Sequence, residues 1–375
     1  MLTRPPIVQF GTGRFLQAHV DLFVSEALSH GQALGRIAVV QSTDSPVSDA
    51  RLAALRTGAG FEIRIRGIEA GATIDRQVHV DAVGEALHLA RDWQRLRDVF
   101  VQARVVVSNT ADAGFAVDDS DGPALLREPD RIPASFPARL LVLLLHRWRE
   151  VGPETLTLLP TELVHANGET LRGIVHGLGR RWQAPDDFLD YLLEGCVWAD
   201  SLVDRIVAEP LHPLGAVAEP YALWAIERQP GLVLPCTHPA ILLTDDLAAH
   251  ERLKLFVLNL GHTVLADRWL RHEMPAGVEK VLDAMAHEPT RLELEDVWQE
   301  EILPAFDAID LGARARAYID TVRDRLRNPF LRHALADIAQ NHAEKKRRRV
   351  GAFLEFADGL GLAPTQRRLR ALAGR

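Results

Sequence analysis

Cysteine is nearly missing from this chain: Cys196 and Cys236 are the only two. Two isolated thiols exclude a disulfide framework and a four-cysteine zinc site, and they fit a reducing, cytoplasmic setting. His262 and His272 lie too far apart for the short paired spacing of a zinc alcohol dehydrogenase, which disfavours that class. No apolar run reaches the ~20 residues needed to span a bilayer. The opening MLTRPPIVQFGTG enters a strand-like segment without a signal-peptide apolar stretch. An excess of positive charge is also absent. The formal net charge of -8 argues against non-specific nucleic-acid binding. No internal repeat or low-complexity segment stands out. What is present is an ordinary globular balance, 47% hydrophobic and 25% charged over 375 residues, enough for two domains with a large core. The expected partner is a small molecule, with neither membrane nor nucleic acid involved; monomer and homo-oligomer both stay open.

Residues 7–10 read as an apolar strand, Gly11-Thr12-Gly13 as a turn and 15–28 as a helix, which is how a dinucleotide-binding unit begins. The glycines permit a tight turn and close approach to a pyrophosphate, and the helix N-terminus supplies N–H donors and its dipole. The usual third glycine is replaced by Leu16, although Ala18 is small enough for close helix–strand packing. Gly11, Thr12, Gly13, Arg14 and Phe15 are therefore candidate cofactor contacts. A second strand, 36–40, ends at Gln41-Ser42-Thr43-Asp44. A carboxylate there accepts from an adenosine ribose 2′-hydroxyl and disfavours a 2′-phosphate. Gln41 and Asp44 thus favour NAD, with NADP still open, and Asp44 fits a helix cap or turn equally well.

Residues 61–68 and 73–80 read as a hairpin inserted in the sheet, and 86–100 as a helix. The β-branched strand 104–107 leads into Ser108-Asn109-Thr110-Ala111-Asp112-Ala113-Gly114, a small polar loop at a strand's carboxyl end, where open α/β sheets bind ligands. Ser108, Asn109 and Thr110 join the cofactor candidates. An amphipathic helix covers 135–148 and a strand covers 156–159. From residue 169 onward strands become rare, with helical patterns over 170–182, 186–193, 247–272, 279–286 and most of 294–360; β-like pieces recur near 231–243. The expected fold is α/β, a Rossmann-type doubly wound sheet (1–235) followed by a mostly α-helical C-terminal domain (236–375). The basic run 345–349 reads as a solvated helix face, with a substrate- or phosphate-facing patch as the alternative.

The segment KLFVLNLGHTVLAD, 254–267, places Lys254, Asn259 and His262 on an apolar helical run. A partly desolvated lysine has a lowered pKa and exchanges a proton near neutral pH. At about 100° per residue Lys254 and His262 lie roughly 80° apart, and Asn259 and His262 sit on neighbouring faces. A snorkelling lysine and a satisfied core histidine are the plain alternative.

These residues resemble the mannitol dehydrogenase family of polyol-specific long-chain dehydrogenases. Gly11-Thr12-Gly13-Arg14-Phe15, followed by Ala18-His19, is similar to the family's G-x-G-x-F opening. Lys254, Asn259 and His262 match its Lys-x-x-x-x-Asn-x-x-His segment. SLVDRIV resembles its V-D-R-I block, and RLRNP its R-x-x-N-P block. PTELVHANG, SNTADAG, SFPARL and DRLRNPFLRH resemble its tagaturonate (altronate) reductase branch, in the right order from residue 7 to about 350. Mannitol dehydrogenases carry C-D-N where this chain has Thr161-Glu162-Leu163, so the position of their substrate-binding asparagine is Leu163 here, and mannitol is disfavoured.

The resemblance implies metal-independent, reversible hydride transfer between NAD and a sugar acid or polyol. Lys254 is then the acid/base, Asn259 an oxyanion donor and His262 a substrate orienter. Asp204 and Arg205 contact the substrate, hold the lysine or form a structural ion pair. Glu162, Arg325, Asn328 and His333 join as substrate-binding candidates, and Arg325, Arg327 and Arg14 are unranked candidates for gripping a carboxylate. A polyol-phosphate dehydrogenase and a non-catalytic NAD-binding sensor are the rival readings.

Overall fold

The computed structural model describes residues 4–110, 114–362 and 365–374. The chain forms two compact units. The first runs through Arg64 and adds Gln77–Ala218 and Ala222–Leu247; the second takes Ile65–Arg76, Glu219–Tyr221 and the chain from Ala248 on.

The first unit is built on β1 (Ile7–Phe10), β2 (Ile37–Gln41), β5 (Val83–His88), β6 (Val105–Ser108), β7 (Leu156–Pro160) and β8 (Cys196–Trp198). They form one parallel sheet in the order β5-β2-β1-β6-β7-β8. In sequence rank that is 3-2-1-4-5-6, the doubly wound order of dinucleotide-binding folds. Strands β1, β2, β6 and β7 are buried along their whole length. That burial is why they read as continuous Val/Ile/Leu runs rather than alternating patterns. The order reverses between β1 and β6, whose ends are in register, Phe10 opposite Ser108. The Gly11–Gly13 turn and the Ser108–Thr110 segment therefore leave the sheet side by side.

Three expectations are corrected here. The hairpin of β3 (Phe61–Glu69) and β4 (Ala72–Val80) is not inserted in the parallel sheet; it belongs to a separate sheet of order β10-β11-β3-β4, with β10 (Val207–Pro210) and β11 (Ala216–Ala218). Residues 86–88 are strand, not helix. Ala86–His88 pair with Val39–Gln41, and the helix begins only at Trp93; sheet pairing overrides a locally helical spacing. Strands also remain frequent after residue 169. Beyond β8, β10 and β11 come β9 (Ser201–Asp204), β12 (Leu223–Glu227) and β13 (Ile241–Thr244). At three to five residues each they are too short for a periodic signal.

The second unit is helical from 248 on. Its core gathers Phe256, Val257, Leu260, Val264, Trp298, Phe306, Ile319, Val322, Phe353 and Leu354. Three of its helices contain π-helical turns, Lys254–Asn259, Val297–Ile302 and Lys346–Gly351. No helix among the described residues is long and apolar enough to cross a membrane.

Candidate functional site

The glycine turn has the geometry a dinucleotide requires. Gly11 adopts φ +120°, and a Cβ there would lie 2.9 Å from both the Asn109 carbonyl and Leu16 Cδ1. Only glycine allows β1 and the loop after β6 to approach this closely. A Cβ on Gly13 would meet nothing within 4 Å. Gly13 caps the helix that starts at Arg14, with the Gln17 N–H bonded to its carbonyl at 3.2 Å. The turn thus presents open space at a helix N-terminus, the arrangement that suits a pyrophosphate. Beside it lies a cavity of about 330 Å³ whose walls include Gly11, Ser42, Asn109, Thr110, Ser135, Phe136 and Arg139. A dinucleotide fits these residues. Arg14 is exposed, and the Phe15 ring packs edge-on to buried His19 at 4.9 Å.

At the end of β2, Gln41 is buried and faces the glycine turn, taking a 3.4 Å bond from Thr12 Oγ1. Asp44 remains largely exposed and shares a 2.9 Å hydrogen bond with His88 Nε2. Ser45, not Asp44, caps the following helix.

The loop after β6 is held by Glu162, whose carboxylate is buried. It accepts from Ser108 Oγ at 3.0 Å and from the N–H and Oγ1 of Thr110, both at 2.9 Å. Thr161 adds a second tie. Its Oγ1 donates to the Ser108 carbonyl at 2.8 Å and accepts from the Asn109 amide at 2.9 Å. Two adjacent strand ends are thereby fixed, and the Thr161 hydroxyl makes bonds a thiol makes poorly. Ala111, Asp112 and Ala113 lie outside the described residues. Leu163 is 69% exposed.

In the second unit, Lys254 and Asn259 bound a π-helical turn. The α-helical angles read from the sequence do not apply across it. Each i→i+5 bond adds a residue to the turn, which brings residues five apart nearer to one face than an α-helix does. Lys254 and Asn259, both half-buried, are thereby brought toward one face. The widened turn is stabilised from outside. Trp298 donates its indole N–H to the Val257 carbonyl at 3.2 Å, approaching closely because residue 261 is glycine. The Asn259 carbonyl accepts from Thr263 Oγ1 at 3.0 Å and from Arg349 Nη1 at 3.1 Å.

His262 follows one turn later and is 7% exposed. Its ring meets that of His333 edge-on at 4.7 Å, and its Nε2 has no hydrogen-bond partner among the described residues. Burial, and then His333, Arg325, Arg349 and Lys345, push its pKa well below the ordinary value. His333 is lowered too, by burial first, with Asp337 opposing and Arg325 and Lys345 reinforcing. Both imidazoles are neutral at neutral pH.

Other sequence candidates are engaged by protein groups. The Arg325 guanidinium pairs with buried Glu219 and lies 4.5 Å over the Tyr221 ring. Asn328 donates to the Arg66 carbonyl at 3.0 Å and accepts from the Phe330 N–H. Arg327 is exposed. Asp204 is buried at the end of β9, and Arg205 donates to the Ala18 carbonyl of the first helix.

Within the basic run, the solvated-face expectation holds only for Arg347 and Arg348. Lys345 donates to the Ile338 carbonyl, Lys346 to Asp267, and Arg349 to Asn259 and Thr263. Sequence reasoning also missed Ser135, Phe136 and Arg139 as cavity walls; SFPARL, at the start of helix Phe136–Val151, was the available signal.

Comparison with known proteins matches residues 5–233 to the mannitol dehydrogenase Rossmann domain and residues 246–357 to the mannitol dehydrogenase C-terminal domain. The altronate oxidoreductase of Halalkalibacterium halodurans is 30% identical, over 96% of this chain and 72% of that protein. The altronate oxidoreductase of Bacillus subtilis is 28% identical, over 96% and 76%. Among solved structures, a substrate-free D-sorbitol dehydrogenase superposes with a TM-score of 0.79 at 20% identity, covering 94% of this chain and 76% of the other. Pseudomonas fluorescens mannitol 2-dehydrogenase, in a ternary complex with NAD and D-mannitol, superposes with a TM-score of 0.73 at 18% identity, covering 99% and 79%.

Proposed function

The chain belongs to the mannitol dehydrogenase family, and from that membership we propose that it is an NAD-dependent oxidoreductase acting on a secondary alcohol of a sugar acid, of the altronate kind. The observation that carries the reading is the π-helical turn bounded by Lys254 and Asn259, which brings them toward one face, with buried His262, its pKa well below the ordinary value, on the next turn.

Bound at the Gly11–Gly13 turn and the adjoining cavity, the dinucleotide supplies the hydride acceptor or donor. Lys254 takes the proton of the reacting hydroxyl as its C–H hydride leaves, and returns it to the carbonyl oxygen in the reverse direction. The Asn259 amide donates to the oxygen as negative charge develops on it. His262, neutral, uses Nε2 to bond a neighbouring hydroxyl; its strongly lowered pKa makes it too weak a base to compete with Lys254 for the proton. His333 fixes the plane of that ring by its edge-on contact. Glu162 holds the Ser108–Thr110 loop in place, while Arg325 and Asn328 secure the segments around Glu219 and Arg66. Asp44, open to solvent at the end of β2, is the acceptor for a ribose 2′-hydroxyl and supports NAD over NADP.

The test is a panel of hexonates, hexuronates, hexitols and hexitol phosphates assayed with both NAD and NADP by nicotinamide absorbance. NAD-linked turnover of hexonates and their keto-acid products is expected. Turnover confined to hexitols, or NADH binding with no turnover of any of them, contradicts the proposal.

A further inference from the structure

Beside the Lys254–His262 segment stand two half-buried cations, Lys345 and Arg349, with no carboxylate partner among the described residues. Arg349 stands on the π-helical turn Lys346–Gly351 and bonds the Asn259 carbonyl and Thr263 Oγ1 through Nη1, both at 3.1 Å. Its Nε and Nη2 have no acceptor among the described residues. Lys345, four residues earlier, donates to the Ile338 carbonyl at 2.8 Å and likewise has no carboxylate partner there. The neighbours differ: Lys346 pairs with Asp267 and Arg347 with Glu344. Arg325, on the same side of the electrostatics, is neutralised by Glu219.

Both lone cations are half-buried and close enough to repel each other, which holds the Lys345 ammonium below its ordinary pKa after burial has begun to do so. Both also act on His262, whose Nε2 is orphaned in a 7% exposed side chain. Like charges four residues apart on a helix are destabilising, and half-burial increases the cost. An anion at this point relieves the repulsion, and a guanidinium with two unused donor groups is suited to a carboxylate.

We propose that Lys345 and Arg349 bind the anionic end-group of the substrate, a carboxylate, and so select a sugar acid over a neutral polyol at the site formed by Lys254, Asn259 and His262. The assignment rests on the proposed function and specifies its substrate recognition. Arg349 has a second consequence. Because the same guanidinium bonds the Asn259 carbonyl, the anion and the oxyanion donor share one support. A phosphate end-group offers the same anionic chemistry, and the experiment separates the two.

The experiment measures steady-state kinetics of the full chain and of Lys345→Met, Arg349→Met and Arg349→Lys with altronate, D-mannitol and mannitol 1-phosphate, each with NAD. Loss of one charge-assisted contact is expected to raise the altronate KM by about tenfold or more in both Met variants. In Lys345→Met the kcat should change by less than roughly threefold; Arg349→Met, which also loses the bond to the Asn259 carbonyl, should lower kcat as well, and Arg349→Lys should recover part of both losses. Lys345→Met touches only one main-chain carbonyl, so it keeps the test valid if Arg349→Met is misfolded. An altronate KM unmoved in Lys345→Met and Arg349→Met, or a fall in kcat alone, overturns the assignment of these cations while the substrate class stands. A wild-type preference for mannitol 1-phosphate, its KM raised by the same variants, overturns the carboxylate. A wild-type enzyme inactive on altronate and other hexonates removes the substrate class itself.

Discussion

The Arg325 guanidinium grips the Glu219 carboxylate through two parallel bonds, Nε to Oε2 at 3.0 Å and Nη2 to Oε1 at 2.9 Å, with both side chains almost wholly withdrawn from water. Nη1 reaches the Tyr318 hydroxyl at 3.3 Å. An arginine that sequence alone offers as a clamp for substrate has its fork filled by its own chain. Removing one partner leaves a buried charge uncompensated, at a cost of about 3–5 kcal/mol. Arg325→Met and Glu219→Gln are each expected to lower unfolding free energy by about that much in urea denaturation, with the double variant losing less than the sum of the two. Single losses under about 1 kcal/mol contradict a buried pair.

The two glycines of the first turn make opposite predictions. At Gly11 an alanine must adopt φ +120° and place its methyl 2.9 Å from the Asn109 carbonyl. Gly11→Ala is expected to cost about 1–3 kcal/mol of stability and to weaken dinucleotide binding. Gly13 has φ -70° and empty space around it. Gly13→Ala is expected to leave the melting temperature nearly unchanged while weakening NADH binding, because its methyl enters the space a pyrophosphate takes. Thermal denaturation and fluorescence titration of NADH separate the two effects. Equal behaviour of both variants contradicts the assignment of the turn.

Asp21 gives a pH prediction. It is buried on the π-helical turn of the first helix, and burial raises its pKa from 3.8 to about 7, with the Gln9 hydrogen bond opposing. Below pH 3.8 the carboxyl is protonated in folded and unfolded chains alike. Between there and about 7 the folded chain keeps a proton that the unfolded chain has lost. The contribution to stability is therefore greatest at low pH, declines as pH rises, and is gone above about 7. Asp21→Asn is expected to stabilise the protein at pH 8 by on the order of a few kcal/mol relative to wild type, and to do so far less at pH 5. Paired urea denaturations at the two pH values measure it, and an equal effect at both contradicts a carboxyl held neutral by burial.

What the sequence made legible follows from what is local. The strand, turn and helix at 7–28 announce themselves because β1 is buried on both faces and glycine occupies the one position with φ +120°. The helices of the second unit are long enough for their apolar spacing to repeat. The strands β8 to β13 are not, and β5 was hidden because ALHLARDWQRL has helical spacing from end to end while its first residues pair with β2. In the site, Lys254, Asn259 and His262 were legible as a motif, but the π-helical turn beneath them was not. It depends on Trp298 and Arg349, which arrive from 41 and 90 residues away. The same distance hid Glu219 from Arg325, 106 residues on. A charge's partner across such a gap leaves no mark in local composition, so five basic residues in a row looked alike although, among the described residues, only Lys346 and Arg347 have a carboxylate partner.

Proton transfer by Lys254 is the claim on which the chemistry stands, and single-turnover kinetics of Lys254→Met across a pH series, with NADH binding followed in parallel, tests it most directly. The hydride-transfer rate on altronate is expected to fall by about 10²–10⁴-fold with the NADH dissociation constant retained, and the pH dependence of that rate should disappear. A variant that transfers hydride at the wild-type rate, or keeps the wild-type pH profile, contradicts the account.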